Sequence, residues 1–169
     1  MTAGMPPAPV TPDEFRSAMG RFATGVVVVS CVVGDLDHAM TANSITSVSL
    51  DPPLVLVCVE LESRFHDAIV EAGEWGVSIL GDSARGAATW LATRGRPLVG
   101  QLDAVPHRRG PLTGSALLTD ALAWLEVRTS AIHPGGDHTI VVGEVVGSEL
   151  ALDPGDALAH FRGQFGRIR

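Results

Sequence analysis

Short β-branched runs, not helical repeats, dominate the apolar pattern of this chain. Residues 26–33 read VVVVSCVV, a fully apolar run that predicts a buried strand. Gly34-Asp35 supplies a turn, and residues 37–43 are expected to return as its hairpin partner. Ile45, Val48 and Leu50 predict strand before Asp51-Pro52-Pro53, and Leu54–Val59 predicts a buried strand after it. Trp75–Leu80 alternates as a strand should. Leu122–Ile132 and Thr139–Val146 flank Pro134-Gly135-Gly136-Asp137, which together predict one long hairpin.

Helical signals are fewer. Thr11-Pro12-Asp13-Glu14 combines a capping box with a first-turn proline, and Phe15, Met19 and Phe22 then share one face up to Gly25. Ser63 can cap a short helix carrying Phe65, Ile69 and Val70, closed by Gly73. Residues 84–92 also read as helix. Residues 1–10 look like a flexible N-terminal arm, residues 93–115 like an irregular excursion, and residues 153–169 like a turn and a polar-aromatic tail.

Six or seven strands joined mostly by short turns favour a mainly β fold over a doubly wound sheet. The expected architecture is an antiparallel split β-barrel of Greek-key type with a few short flanking helices. With no repeat and no linker in 169 residues, residues 11–169 are expected to form one domain.

Composition narrows the function classes. The formal charge is −7, which speaks against an electrostatic nucleic-acid binder. All 12 basic residues are arginine, so a lysine Schiff base is excluded and an anion must be met by Arg, hydroxyls or backbone N–H groups. Charged residues make up only 18% of the chain, so some apolar surface is expected to lie between subunits. Cys31 and Cys58 sit in apolar runs and read as buried small hydrophobes rather than as a disulfide or zinc pair. No apolar run reaches membrane-spanning length and the start lacks signal-peptide character, so the cytoplasm is the expected location.

Familiar catalytic arrangements are missing. No serine stands in a Gly-x-Ser-x-Gly elbow, and no two of the six histidines share a helical spacing, so neither a hydrolase triad nor a metal site is expected. Six of the nine residues from Thr41 to Ser49 are Thr, Ser or Asn, and no charge intervenes between His38 and Asp51. Such a run is either a surface loop or a bed for a flat polar ligand, because unpaired buried hydroxyls cost about 1–3 kcal/mol each. His138, just beyond a tight turn, is either solvated or a donor at a pocket mouth.

Ordered stretches along nearly the whole chain then supply a resemblance. FRSAMGRFATGVVVVS (15–30), MTANSITSVSLDPPLVLVCV (40–59), SRFHDAI (63–69), GPLTGSALLTDALAWLEV (110–127), GGDHTIVVGEV (135–145) and FRGQF (161–165) resemble, in register, the flavin reductase family with its FMN-binding split barrel. These are small reductase components of two-component flavin monooxygenases. The resemblance implies a homodimer that binds FMN or FAD and takes hydride from NADH or NADPH. It would pass reduced flavin to a separate flavin-dependent monooxygenase. The flavin ring is expected against Met40, Thr41, Ala42, Asn43 and Ser44 and against Ser47, Val48 and Ser49. Ser63 and Arg64 are expected at the phosphate, and His138 at the nicotinamide as a positioning group. Ile45 stands where the family often has Phe, Ala84 where it often has Gln, and Glu60-Leu61-Glu62 where it often has a basic residue and a second Ser. The departures keep two alternatives open: a flavoprotein that retains its flavin for an organic substrate, and a non-catalytic flavin-binding module.

Overall fold

A computed structural model describes residues 8–153 and 155–169. Most of the arm expected at residues 1–10 lies outside the described residues; Ala8–Val10 are exposed and carry no regular structure.

Helix α1 (Pro12–Met19) starts as its sequence predicts. Thr11 Oγ1 accepts from Glu14 N at 3.3 Å, and Thr11 N donates to Glu14 Oε2 at 2.9 Å. The helix stops at Gly20, five residues before Gly25. Its apolar face is not core: Phe15, Met19 and Phe22 are 62%, 49% and 65% exposed in the single chain.

The strands are β1 (Thr24–Gly25), β2 (Val27–Val33), β3 (Leu36–Ala42), β4 (Ile45–Leu50), β5 (Pro53–Glu60) and β6 (Glu74–Leu80). They continue as β7 (His107–Arg109), β8 (Ala116–Leu118), β9 (Ala121–Gly135), β10 (His138–Leu150), β11 (Ala157–Phe161) and β12 (Gln164–Ile168). Twelve strands among the described residues exceed the six or seven expected. The extra ones are short or polar: β7 and β8 bracket the far end of the 93–115 excursion, and β11 and β12 form a hairpin in the supposed tail. Helices α2 (Arg64–Ala72) and α3 (Arg85–Ala92) complete the frame, the latter preceded by a 3₁₀ turn over Asp82–Ala84.

Seven strands form one antiparallel sheet in the order β3-β2-β6-β9-β10-β5-β4. The barrel expected from the pattern does not close: β3 and β4 are the two free ends of this sheet. Its centre is buried on both faces, which is why β6 shows near-continuous burial rather than the expected alternation. One core gathers Val26, Val28, Leu80, Leu91, Leu117 and Trp124 on the α3 side. The other gathers Val27, Val57, Ile69, Trp75 and Val141 on the α2 side. Strand β5 alternates instead of being wholly buried, so Cys58 is half-buried while Cys31 is fully buried and its thiol is pushed up to about 12.

The free edge of β3 is capped by side chains. Gln101 Nε2 donates to Asp37 O at 2.7 Å, and Arg96 Nη2 donates to Ala39 O. Two residues of the 93–115 excursion therefore stand in for a missing neighbour strand and block edge pairing.

Candidate functional site

Between the capped edge of β3, the first turn of α2 and the segment leaving α3 lies a cavity of about 500 Å³. Met40, Phe65, Leu91 and Leu98 give it apolar wall, and Thr41, Ser63, Arg64, Arg96 and Gln101 give it polar wall. Its volume is of the size that holds a cofactor or drug-sized ligand.

Each element brings its side chain for a local reason. Ser63 caps α2, accepting from Phe65 N at 3.2 Å, and its hydroxyl lies 3.8 Å from Met40 Sδ. That contact ties the helix start to β3 and sets Arg64 at the first helical position. Arg96 is held by Thr93 O at 2.9 Å and by the β3 edge, which leaves its buried Nε without a partner. Gln101 is 3% exposed and fixed by Asp37 O, and its Oε1 likewise has no partner among the described residues. Burial lowers the Arg96 pKa from its ordinary value, and the Arg64 charge lowers it further. His38, also on the cavity wall, is held below its ordinary value by burial first and Arg64 second, against opposing pulls from Asp37 and Glu71.

The structure divides the residues named from sequence into two groups. Met40, Thr41, Ser63 and Arg64 meet on the cavity wall. Ala42 is buried at the end of β3, Asn43 and Ser44 form the link to β4, and Ser47, Val48 and Ser49 lie on β4 at the far end of the sheet. The hydroxyl run is also less starved than the burial argument required. Thr41 Oγ1 donates to Ala88 O at 2.7 Å, and Ser44 Oγ to Cys58 O at 2.9 Å. Asn43 Nδ2 is 3.3 Å from His160 Nδ1, and Ser49 Oγ accepts from Asp51 N at 3.2 Å. Thr46, Ser47 and Val48 are exposed, because β4 is an edge strand with no further strand beyond it among the described residues. Part of the run thus solves local backbone problems.

His138 stands beside the cavity rather than in its wall. It opposes Glu60 in the β10–β5 ladder, and its Nδ1 is 2.7 Å from Asp137 Oδ1, a contact that lowers the Asp137 carboxyl. Glu60 does line the cavity and is bridged by Arg94 Nη2 at 2.8 and 3.1 Å, which links the α3 exit to the strand facing His138.

Sequence reading missed His38, Glu60, Arg94, Arg96 and Gln101. The available signal was weak: two of only 12 arginines fall two residues apart in the excursion. Nothing local shows that they reach β3 and β5.

Among the described residues the wall hydroxyls of Thr41, Ser63 and Thr93 bond to Ala88 O, Met40 Sδ and Thr89 O rather than to a histidine or carboxylate, so the arrangement binds and orients rather than attacks. A flat ring with an anionic tail fits this donor set. Met40 and Phe65 offer apolar contact, while Arg64, Arg96 and the start of α2 offer positive charge. Among the described residues no helix is long and apolar enough to cross a membrane.

Comparison with known proteins agrees with this geometry. A family described as "Flavin reductase like domain" matches residues 19–169. An NADH-dependent flavin reductase of a Rhodococcus species is 41% identical over 170 residues, covering 97% of this chain and 90% of that protein. An NADH-dependent FAD reductase of Streptomyces globisporus is 42% identical over 134 residues, covering 79% of this chain and 73% of that protein. The crystal structure of BorF, the flavin reductase component of a bacterial two-component tryptophan halogenase, superposes with a TM-score of 0.88 at 43% identity, covering 94% of this chain and 98% of that one. The Streptomyces globisporus NADH:FAD oxidoreductase in complex with NAD and FAD fragments gives a TM-score of 0.87 at 35% identity, covering 96% and 98%. With a matching sheet, a cavity suited to a flat anion and a family match over nearly its whole length, this chain belongs to the flavin reductase-like domain family.

Proposed function

We propose that this chain is an NADH-dependent flavin reductase that releases reduced FMN or FAD to a separate flavin-dependent monooxygenase. The observation that carries the reading is the cavity at the β3 edge, where apolar side chains and the Arg64 and Arg96 guanidinium groups share one wall. Bound flavin supplies the acceptor chemistry: NADH, a proton and oxidised flavin give NAD⁺ and reduced flavin. The protein's share is placement. Met40 and Thr41 border the ring end, continued by the backbone of Ala42, Asn43 and Ser44, while Ser63 and Arg64 serve the phosphate end. Residues 11–169 act as one domain in this reading, since strands from β1 to β12 pair into sheets across that span. The free thiols of Cys31 and Cys58 suit the reducing cytoplasm.

A homodimer belongs to the same proposal. Phe15, Met19 and Phe22 on and beyond α1, and Val48 and Leu50 on β4, are large apolar side chains left open in the single chain. A second copy covering β4 would bring Ser47, Val48 and Ser49 into a shared flavin site. The double substitution Phe15→Asp and Met19→Asp is expected to halve the mass seen by sedimentation equilibrium while far-ultraviolet dichroism is kept. An unchanged mass would place the interface elsewhere.

His138→Ala separates the roles of the two ends. The NADH KM should rise roughly tenfold while the flavin Kd moves less than about twofold, since His138 lies beside rather than within the cavity wall. Equal losses in both would remove His138 from the nicotinamide side. The reaction itself is tested anaerobically: NADH mixed with protein and excess flavin should bleach the flavin's visible absorption. No bleaching would refute reductase activity.

A further inference from the structure

Three basic side chains from separate elements line the cavity: His38 from β3, Arg64 from the start of α2 and Arg96 from the segment after α3. A fourth, Arg94, is engaged by Glu60. Arg96 uses its terminal nitrogens on two backbone carbonyls and keeps a buried Nε without a partner among the described residues. Arg64 and Arg96 have no ion-paired carboxylate among the described residues, although Glu62 shares the cavity wall. Arg64 lies near enough to lower the Arg96 pKa in a partly desolvated cavity, and such a pair is matched by an anion that enters from outside. Arg96 reaches this cavity from thirty-three residues downstream of Ser63, held there by the β3 edge cap.

We propose, resting on the flavin reading above, that the flavin phosphate is held by Arg64 and Arg96 together with His38, and that His38 makes this hold proton-linked. The groups facing His38 are known. Asp37 flanks it on β3, Arg64 and Glu71 face it from α2, and Glu62 and Arg96 share its cavity. Cys31 opposes it on β2 with its thiol kept neutral by burial. Without ligand, burial and Arg64 favour the neutral form of His38. A phosphate dianion reverses the Arg64 effect and raises the His38 pKa, so binding takes up a proton. The sign follows: affinity for the phosphorylated flavin is greatest below the pKa of unliganded His38 and is lost as pH rises from there through the raised value. Reduced flavin would then leave more readily on the alkaline side.

The test compares FMN with riboflavin, which carries the same ring and no phosphate. Dissociation constants are measured by flavin fluorescence quenching from about pH 5.5 to about pH 8.5, a range spanning histidine titration. Wild type, His38→Gln and Arg96→Gln are titrated side by side. The second ionisation of the FMN phosphate, near pH 6, is common to all three proteins and cancels in the comparison. From low to high pH, the wild-type preference for FMN over riboflavin should fall roughly tenfold relative to that of His38→Gln. Arg96→Gln should lower the same preference roughly tenfold at every pH. Damage to the β3 edge alone would weaken both flavins equally and leave their ratio unchanged, which overturns the role of Arg96. A ratio with one pH course in wild type and His38→Gln overturns the proton linkage while leaving the flavin reading intact. Failure to bind either flavin overturns both.

Discussion

Trp75→Ala is expected to lower the unfolding free energy by about 3–5 kcal/mol, the range for deleting a fully buried aromatic side chain. Trp75 is 0% exposed on the α2 side of the sheet, and its Nε1 donates to Thr129 Oγ1 at 3.2 Å. Its ring fits against Gly143, where an added Cβ would collide with Val127 Cγ1 and lie 3.0 Å from Arg128 O and from Trp75 Cζ2. The tryptophan therefore fills space that the neighbouring strand vacates by having glycine there. β10 carries a register irregularity at Val142/Gly143, so the close approach coincides with a break in the ladder. Truncation leaves a large cavity between β6, β9 and β10, the strands that hold β5 and the cavity wall in place. Urea denaturation followed by tryptophan-independent far-ultraviolet dichroism measures the loss. A change below about 1 kcal/mol would mean that the site collapses around the missing ring.

Glu126→Ala should cost about 3 kcal/mol, through loss of hydrogen bonds to a buried charge and exposure of unmet donors. Glu126 is 5% exposed, and its Oε2 accepts from Leu112 N at 2.8 Å, Thr113 N at 2.7 Å and Thr113 Oγ1 at 3.0 Å. One carboxylate oxygen thus organises the 110–114 turn, packed so closely that a Cβ on Gly110 would sit 2.5 Å from that same oxygen. Glu126→Gln keeps an acceptor but not the charge, so its cost should be about half as large. Amide exchange at Leu112 and Thr113 should accelerate strongly in the alanine variant and modestly in the glutamine one. Unchanged exchange at both positions would show that the turn is held by something else.

These two positions also show what could be read from sequence. The β-branched run of β2, the apolar run of β5 and the capping box of α1 are local signals, and each element starts where its pattern says, although α1 stops short of Gly25 and β5 is buried on one face only. Burial was harder to read, because it depends on what lies across the sheet. The face of Phe15, Met19 and Phe22 is amphipathic yet open, since none of the described residues covers it. Strands β7, β8, β11 and β12 are short and owe their pairing to distant neighbours, so no periodicity announces them. The site divides in the same way. Met40, Thr41, Ser63 and Arg64 belong to stretches whose resemblance was visible, and the cavity unites them. His38, Arg96 and Gln101 enter through contacts with the β3 edge and cavity, and Arg96 lies 57 residues from the carbonyl it caps. Ser47, Val48 and Ser49 were legible as part of a run but lie at the opposite end of the sheet order, away from the single-chain cavity.

Whether free flavin is a substrate is tested most directly by steady-state NADH oxidation in protein stripped of flavin, titrated with added FMN and FAD. The expected rate is near zero without flavin and rises to saturation with at least one of the two. A rate indifferent to added flavin would contradict this reading in favour of a flavin-retaining enzyme, and flavin binding with no NADH oxidation would leave a binding module.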